Sequence, residues 1–215
     1  MAARARPMHR KDDKVVDTEL WILDTNSEIV DGTIIYSYHH SRSDKKLDPA
    51  MLKLLQENGI SKIVITPSIS TYHSNRYFND KLDNLFLGIT EIDINSIAFN
   101  SPVDELPITM KRIHFRFCPA FNKELNHLPP YLESLELFCE IFNQEICELP
   151  ESLGRLVINS RRFDKSLYGL PAGLKYFRLR SWSKRYTVDM LPELPFCDFI
   201  EIWYGNELTY TKIKK

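Results

Sequence analysis

The chain has 215 residues and a formal net charge of −1, with 28 Lys and Arg residues against 29 Asp and Glu residues. This near-neutral balance produces no global field that would favour nucleic acid or an acidic membrane surface. No stretch approaches the roughly 20 continuous apolar residues of a membrane-spanning helix. Apolar residues make up 43% of the sequence, which suits one globular domain, or one domain with a small cap.

The N-terminal part of the chain is predicted to form a tail and then a cap. Residues 1–17 begin with a basic segment that lacks an apolar core, so we expect a disordered tail and not a signal peptide. Residues 18–76 are expected to form the cap. Its first strand is predicted at Leu20–Leu23, with a polar turn over Asp24–Glu28, and its second strand at Thr33–Tyr38.

A helix of about residues 49–58 is marked by its end signals. Asp48 fits the N-cap, Pro49 fits the first helical position, and Gly59 fits the C-terminal stop. The segment Gly59–Ile65 aligns with Gly88–Ile94, which ends in the alternating pair Ile92 and Ile94 of a later strand. This alignment predicts a strand at Ile63–Ile65 in the same sheet. The cap is therefore expected to be strand–helix–strand, with a connecting loop over Tyr72–Arg76.

One pattern then recurs about every 21 residues. An aromatic residue opens each copy, and Asn follows it in four copies and Asp or Thr in two. These pairs are Phe78-Asn79, Phe99-Asn100, Phe121-Asn122, Phe142-Asn143, Phe163-Asp164 and Tyr186-Thr187. Each copy continues with an aliphatic residue, a Leu that Pro usually follows, and an alternating apolar pair such as Leu135 and Leu137. This periodicity indicates a solenoid, because a single copy cannot bury its own apolar side chains.

Each repeat position has a physical interpretation. The alternating pair has the period of a strand, which places both side chains on one face, and the proline marks a turn outside the strand. The aromatic residues are expected to stack from coil to coil in the core. The Asn side chains are expected to bond backbone groups of neighbouring coils, since a buried polar group needs a partner. Because Asp164 and Thr187 replace Asn, this ladder should weaken toward the C-terminus.

Three segments carry the resemblance to a known family: FNKELNHLPPYLESLEL, FNQEICELPESLGRLVI and FDKSLYGLPAGLKYFRL. They resemble the FNIP repeat, a relative of the leucine-rich repeat found in social amoebae and giant DNA viruses. The resemblance covers Phe78 to about Ile202 and assigns residues 77–204 to the repeats. It implies a mostly-β α/β repeat fold: a leucine-rich-repeat-like solenoid with a parallel sheet.

The family implies a function as well as a fold. It implies a non-catalytic protein-interaction module without a cofactor, so we do not expect an enzyme. The partner is expected to be a protein, and a host protein if the chain is viral, while nucleic acid and membrane are not expected as partners. Neither the identity of the partner nor the oligomeric state follows from the sequence.

The residues that flank the inward pair should point outward and form three ladders across the sheet. The first ladder is Glu91, Arg112, Ser134, Arg155, Tyr176 and Phe199. The second is Asp93, His114, Glu136, Val157, Arg178 and Glu201. The third is Asn95, Arg116, Phe138, Asn159, Arg180 and Trp203. Neighbours in a ladder should touch, because strands lie about 4.8 Å apart.

Arg and aromatic residues are concentrated in the middle and C-terminal parts of these ladders. We predict that they bind the partner, because such side chains dominate binding hot spots. The predicted binding residues are Arg116, Phe138, Arg155, Tyr176, Arg178, Arg180, Phe199 and Trp203. Two alternatives remain open. The arginines could pair with Glu136 and Glu201, or the same residues could bind single-stranded nucleic acid, which the interleaved acidic residues oppose.

Two further residue types invite a chemical interpretation. His114 and Glu136 are neighbours in the second ladder and are predicted to be a structural pair, because no nucleophile or pocket accompanies them. The cysteines have no metal-binding spacing and are predicted to be buried free thiols in a reducing, cytoplasmic compartment. They are Cys118, Cys139, Cys147 and Cys197.

The C-terminal residues 205–215 are predicted to add a final strand or a tail. Gly205-Asn206 is a turn signal, and Leu208–Ile213 alternates in the manner of an edge strand. Lysines at the end of this segment would discourage association between sheet edges.

Overall fold

The computed structural model describes residues 27–30, 33–38, 53, 55–67, 78–79, 81–82 and 85–214. The expected tail over residues 1–17, the expected strand at Leu20–Leu23 and the loop over Tyr72–Arg76 lie outside these residues. Of the expected helix, Lys53 and residues 55–57 are described, and they are helical. Gly59 follows with a φ of 66°, the left-handed conformation of a helix C-terminus, and Ile60 N–H donates to Leu55 O at 3.0 Å.

Ten strands of the described residues form one sheet in chain order. They are β1 (Ser27–Val30), β2 (Thr33–Tyr38), β3 (Lys62–Pro67), β4 (Glu91–Asn95), β5 (Arg112–Phe117), β6 (Ser134–Phe138), β7 (Arg155–Ser160), β8 (Tyr176–Ser181), β9 (Phe199–Tyr204) and β10 (Glu207–Ile213). Strands β2 to β9 pair in parallel with their neighbours. A 3₁₀ helix, Val188–Met190, lies between β8 and β9.

At each end of the sheet that the described residues form, the outermost strand is antiparallel to its neighbour. β1 pairs with β2, with Val30 opposite Thr33. The expected turn over Asp24–Glu28 is therefore wrong at its C-terminal end, because β1 begins at Ser27. At the other end, Gly205 has a φ of 58° and starts the turn into β10, which pairs with β9.

The repeat aromatic residues form one stacked column inside the solenoid. Successive ring centroids from Phe78 through Phe99, Phe121, Phe142 and Phe163 to Tyr186 lie 6.0, 5.8, 6.1, 6.1 and 6.1 Å apart. Phe115 of β5 adds a ring 4.4 Å from that of Phe121. All six rings of the column are buried. The column confirms the expectation that these side chains hold consecutive coils together.

The Asn ladder is also present and runs beside the rings. Asn100 N–H donates to Asn79 Oδ1 at 2.7 Å. In the next two coils, Asn122 N–H donates to Asn100 Oδ1 at 2.9 Å and Asn143 N–H donates to Asn122 Oδ1 at 2.8 Å. Asp164 N–H donates the last bond, to Asn143 Oδ1 at 3.0 Å. The expected weakening is observed, since among the described residues no equivalent bond joins Thr187 to the Asp164 side chain.

A second polar column stands at the ends of the strands. The hydroxyls of Ser96, Ser160 and Ser181 donate to the carbonyl oxygens of Phe78, Phe142 and Phe163 at 2.8, 2.7 and 2.6 Å. Each bond joins a strand end to the ring residue of its own coil. It therefore closes the coil, and the sequence pattern gave no indication of it.

Three of the four cysteines are buried free thiols, as expected, but Cys147 is exposed. Burial raises the pKa of Cys118 to about 11 and raises that of Cys139 as well. Gly169 of the next coil packs directly against the backbone of Cys147. A Cβ added to Gly169 would lie only 2.4 Å from Cys147 Cα. The backbone of Cys147 is thus covered by the next coil while its side chain faces solvent.

Candidate functional site

The sheet face, defined as the outward-pointing residues of β3 to β9, carries the predicted binding residues. The first two ladders have the expected neighbours from β4 to β9. The third ladder is wrong at β5, because Asn95 lies opposite Phe117 and not Arg116. Asn100 and Asn122 are 22 residues apart, whereas Asn122 and Asn143 are 21 apart. The coil that contains β5 therefore has one extra residue, which shifts the register at the end of β5.

The N-terminal part of the face is built around the carboxylate of Asp93. His114 Nδ1 lies 2.9 Å from Asp93 Oδ1, and Lys62 Nζ and Arg116 Nη2 each lie 3.3 Å from Oδ2. Burial alone would raise the pKa of Asp93. The hydrogen bond from His114 and the charges of Arg116 and Lys62 outweigh it and lower the pKa to about 2. Asp93 is therefore ionised at neutral pH.

His114 links Asp93 to Ser134, whereas the sequence predicted a pair with Glu136. An ionised carboxylate only accepts, so His114 Nδ1 is the donor, and Nε2 can accept from the Ser134 hydroxyl 3.2 Å away. Asp, His and Ser side chains linked in this way also form the catalytic triad of serine hydrolases. However, Ser134 is buried and its own N–H, a common oxyanion donor, is committed to Lys111 O. We therefore assign this chain of hydrogen bonds a positioning role.

Besides Arg116, three arginines of the face pair with carboxylates from neighbouring strands. Arg155 Nε donates to Glu136 Oε1 at 2.7 Å, and Arg178 Nη2 lies 2.6 Å from Glu201 Oε2. Arg112 pairs in the same way with Glu91. The pairing of arginines with Glu136 and Glu201, which the sequence left open, is thus present in the structure.

The C-terminal part of the face holds a continuous stack of rings and guanidinium groups. The rings of Tyr176 and Phe199 are parallel within 4°, with centroids 4.4 Å apart. The Arg155 guanidinium carbon lies 3.8 Å from the Tyr176 ring centroid, and that of Arg178 lies 5.9 Å from Phe199. Both rings are half-buried. The side chains are therefore fixed by one another, although they are partly open to solvent.

Arg180 is held by neutral groups at the ends of β8 and β9. Its Nε donates to Gly205 O at 2.7 Å, and its Nη2 donates to Asn206 Oδ1. Its guanidinium carbon lies 4.8 Å from the ring centroid of Trp182 and 5.9 Å from that of Trp203. The sequence did not single out Trp182, since it follows β8 and falls outside the three ladders. The signal that the sequence offers is a Trp directly after a strand that contains Arg178 and Arg180.

Six of the eight predicted binding residues come together in one surface, here called the Arg–aromatic patch. Its members are Arg155, Tyr176, Arg178, Arg180, Phe199 and Trp203. Arg116 lies instead in the group around Asp93. Phe138 is half-buried opposite Asn159 on β7 and makes none of the ring or guanidinium contacts found among the described residues.

The architecture is now fixed by the parallel sheet, the stacked rings and the coil-to-coil hydrogen bonds. The chain is a leucine-rich-repeat-like solenoid. No helix of the described residues is long and apolar enough to cross a membrane. Within the same residues, no group of three His, Cys, Asp or Glu side chains could hold a metal ion. Solenoids of this kind commonly bind partner proteins along their extended surfaces.

Comparison with known proteins adds one solved structure. No protein-family model matches the chain, and no curated protein matches it. The giant-virus protein CroV588, described as a novel circular leucine-rich-repeat structure, matches with 19% identity and a TM-score of 0.44. The match covers 83% of this chain and 35% of CroV588. The resemblance to FNIP repeats thus rests on the sequence pattern.

Proposed function

We propose that this solenoid is a non-catalytic binding module that recognises a partner protein through the Arg–aromatic patch. The observation that carries the proposal is the preformed stack of Arg155, Tyr176 and Phe199. Fixed rings and guanidinium groups lose little conformational entropy when they meet a partner. They also belong to the residue types that contribute most to protein interfaces.

The same stack opposes single-stranded nucleic acid as the ligand. Single-strand binders offer free aromatic faces on which bases stack. In this protein Tyr176 has Arg155 on one face, at 3.8 Å, and Phe199 on the other, at 4.4 Å. We propose a reducing, cytoplasmic setting for the interaction, in keeping with four free cysteines, of which Cys147 is exposed.

Affinity capture from the native cell tests the proposal. The full chain would be the bait, and captured proteins would be identified by mass spectrometry. Replacing Arg178 and Trp203 with Ala should remove the main partner from the captured set. Replacing Arg162 and Tyr168 with Ala, which are exposed outside the sheet face, is the matched control and should leave it in place. Circular dichroism would establish that both variants fold.

Two results would contradict the proposal. The first is a partner that survives the loss of Arg178 and Trp203 but is lost with the control pair. The second is binding of single-stranded RNA that weakens steeply with salt, which would indicate contacts led by phosphate groups.

A further inference from the structure

Charged groups on the sheet face are layered, with the carboxylates below the guanidinium groups. The four carboxylate side chains, of Glu91, Asp93, Glu136 and Glu201, are 11–24% exposed. Their four arginine partners, Arg112, Arg116, Arg155 and Arg178, are 41–51% exposed. A molecule that approaches the face therefore meets guanidinium groups first and carboxylates only behind them.

We propose that the partner binds as an acidic polypeptide segment whose carboxylates are received by this guanidinium layer. The inference rests on the proposed function and specifies the chemistry of the partner. A guanidinium group has five N–H donors. Arg155 uses its Nε for Glu136, and Arg178 uses Nε and Nη2 for Glu201. Among the contacts of the described residues, each guanidinium group keeps further N–H donors. These can form the two parallel hydrogen bonds of a bidentate contact with a second carboxylate.

The balance of charge on the face supports an acidic ligand. On β3 to β9 the outward positions hold six cations, Lys62, Arg112, Arg116, Arg155, Arg178 and Arg180, and four carboxylates. With His114 neutral the face carries a charge of +2. Because the whole chain has 28 cations and 29 carboxylates, the residues outside this face carry −3. The positive surface is thus local, although the protein as a whole is nearly neutral.

Arg180 marks the strongest single position for a carboxylate. Its described hydrogen-bond partners, Gly205 O and the Asn206 side chain, are both neutral. Trp182 and Trp203 hold the guanidinium in place at 4.8 and 5.9 Å. A carboxylate of the partner would supply the anion that this half-buried cation lacks among the described residues. The adjacent rings of Trp182 and Trp203 would cover the apolar part of the same segment.

A fluorescein-labelled 20-residue polyglutamate peptide, titrated with the full chain at low salt, is a direct probe of this proposal. Fluorescence anisotropy would measure its dissociation constant. We expect Arg178→Gln to weaken binding about fivefold to tenfold, since one charge-assisted contact is lost. The control Arg162→Gln makes the same change of charge at an exposed position outside the face and should change binding less than about twofold.

A gain-of-binding variant separates specific contacts from general attraction. Glu201→Gln removes the carboxylate beneath Arg178, which is its charged partner within the described part of the chain. We expect polyglutamate to bind about threefold to tenfold more tightly to this variant. Urea unfolding of each variant would establish that the solenoid is intact. Glu201→Gln is the gentlest of these changes, because Gln has nearly the same size and shape as Glu.

The outcomes distinguish this inference from the proposed function. If polyglutamate does not bind, but a captured protein still depends on Arg178 and Trp203, the acidic chemistry is wrong and the binding face stands. If neither the peptide nor a captured protein depends on them, both proposals fail. If Arg178→Gln and Arg162→Gln weaken polyglutamate binding equally, the binding depends only on the net charge of the protein, and the inference is overturned. A 20-residue oligouridine that binds more tightly than polyglutamate would also overturn it.

Discussion

Asp93 illustrates how one buried carboxylate organises the polar half of the sheet face. It is 8% exposed, so the loss of water around it must be offset by its neighbours. His114, Arg116 and Lys62 provide that compensation from two adjacent strands. Because the carboxylate is more stable ionised in the folded protein than in the unfolded chain, its titration is linked to stability.

Acid titration should expose the contribution of Asp93. Its pKa is about 2 in the folded protein against an ordinary value of 3.8. A lowered pKa stabilises the fold above the unfolded value, and the effect is lost as the pH falls from about 4 through about 2. We therefore expect the stability advantage of the native protein over Asp93→Asn to shrink by about 2 kcal/mol between pH 5 and pH 1.5. Urea unfolding at a series of pH values measures it.

Asp104→Asn provides the control for that series. Asp104 is exposed and has no described ion pair. The stability difference between this variant and the native protein should stay constant over the same range. A constant difference for Asp93→Asn as well would show that the cations around Asp93 do not lower its pKa.

Individual side-chain contacts were the least predictable part of the molecule. The ring and Asn columns follow from a regular spacing, and the structure contains both. By contrast, His114 bonds Asp93 and Ser134 instead of Glu136. A ladder defines which residues are neighbours across the sheet. The side-chain rotamer then determines whether a residue contacts the strand before it or the strand after it, and the sequence does not specify the rotamer. The shift at Phe117 has a similar origin, since the sequence does not reveal where a coil accommodates an extra residue.

At the scale of the structural element, each coil contributes one ring and one short strand to parallel columns, and four of the six coils also contribute an Asn. Phe142 stacks on Phe121 and Phe163, with centroids 6.1 Å away on each side. Its carbonyl oxygen also accepts the hydroxyl of Ser160, which closes the coil. The strand positions and the columns could be predicted because they recur. The closing serines could not, since Cys118 and Cys139 replace Ser in two coils and obscure the pattern.

Removal of one ring should therefore lower the free energy of unfolding by more than the burial of that ring alone contributes. Phe142→Ala leaves a cavity between two stacked rings in a close-packed core, and we expect a loss of about 3–5 kcal/mol in the free energy of unfolding. Phe196→Ala is the matched control, because Phe196 is 65% exposed. It should change stability by less than about 0.5 kcal/mol. Similar losses for the two variants, measured by urea unfolding, would contradict the central role of the column.

At the scale of the whole molecule, the solenoid is an array in which each coil contacts its neighbours. Such an array derives its stability from the coils and from the interfaces between them. Antiparallel β1 and β10 pair with the first and last parallel strands. The architecture follows from the sequence because the repeat is regular, whereas β1 lies outside the repeat and begins within the predicted turn over Asp24–Glu28. The partner does not follow, because no repeat position specifies it.

A modular array should tolerate the loss of one complete coil but not of half a coil. Deletion of the 21 residues 143–163 joins Phe142 to Asp164, which preserves the phase of every column and brings β6 next to β8. We expect this variant to keep a native-like circular dichroism spectrum and cooperative urea unfolding, with a smaller dependence on urea because less surface is buried. Glu136 would then lie opposite Arg178, so the face would keep an ion pair at that position.

The half-coil deletion of residues 143–152 removes fewer residues but should unfold the protein. It leaves six residues between β6 and β7, whereas neighbouring parallel strands need a connection of about a dozen or more. The chain cannot cross to the other side of the solenoid and return within that length, so the coils on either side lose their shared interface. Cooperative unfolding should be retained by the longer deletion and lost by the shorter one. The opposite order would mean that length, and not the phase of the columns, determines whether the coils stack.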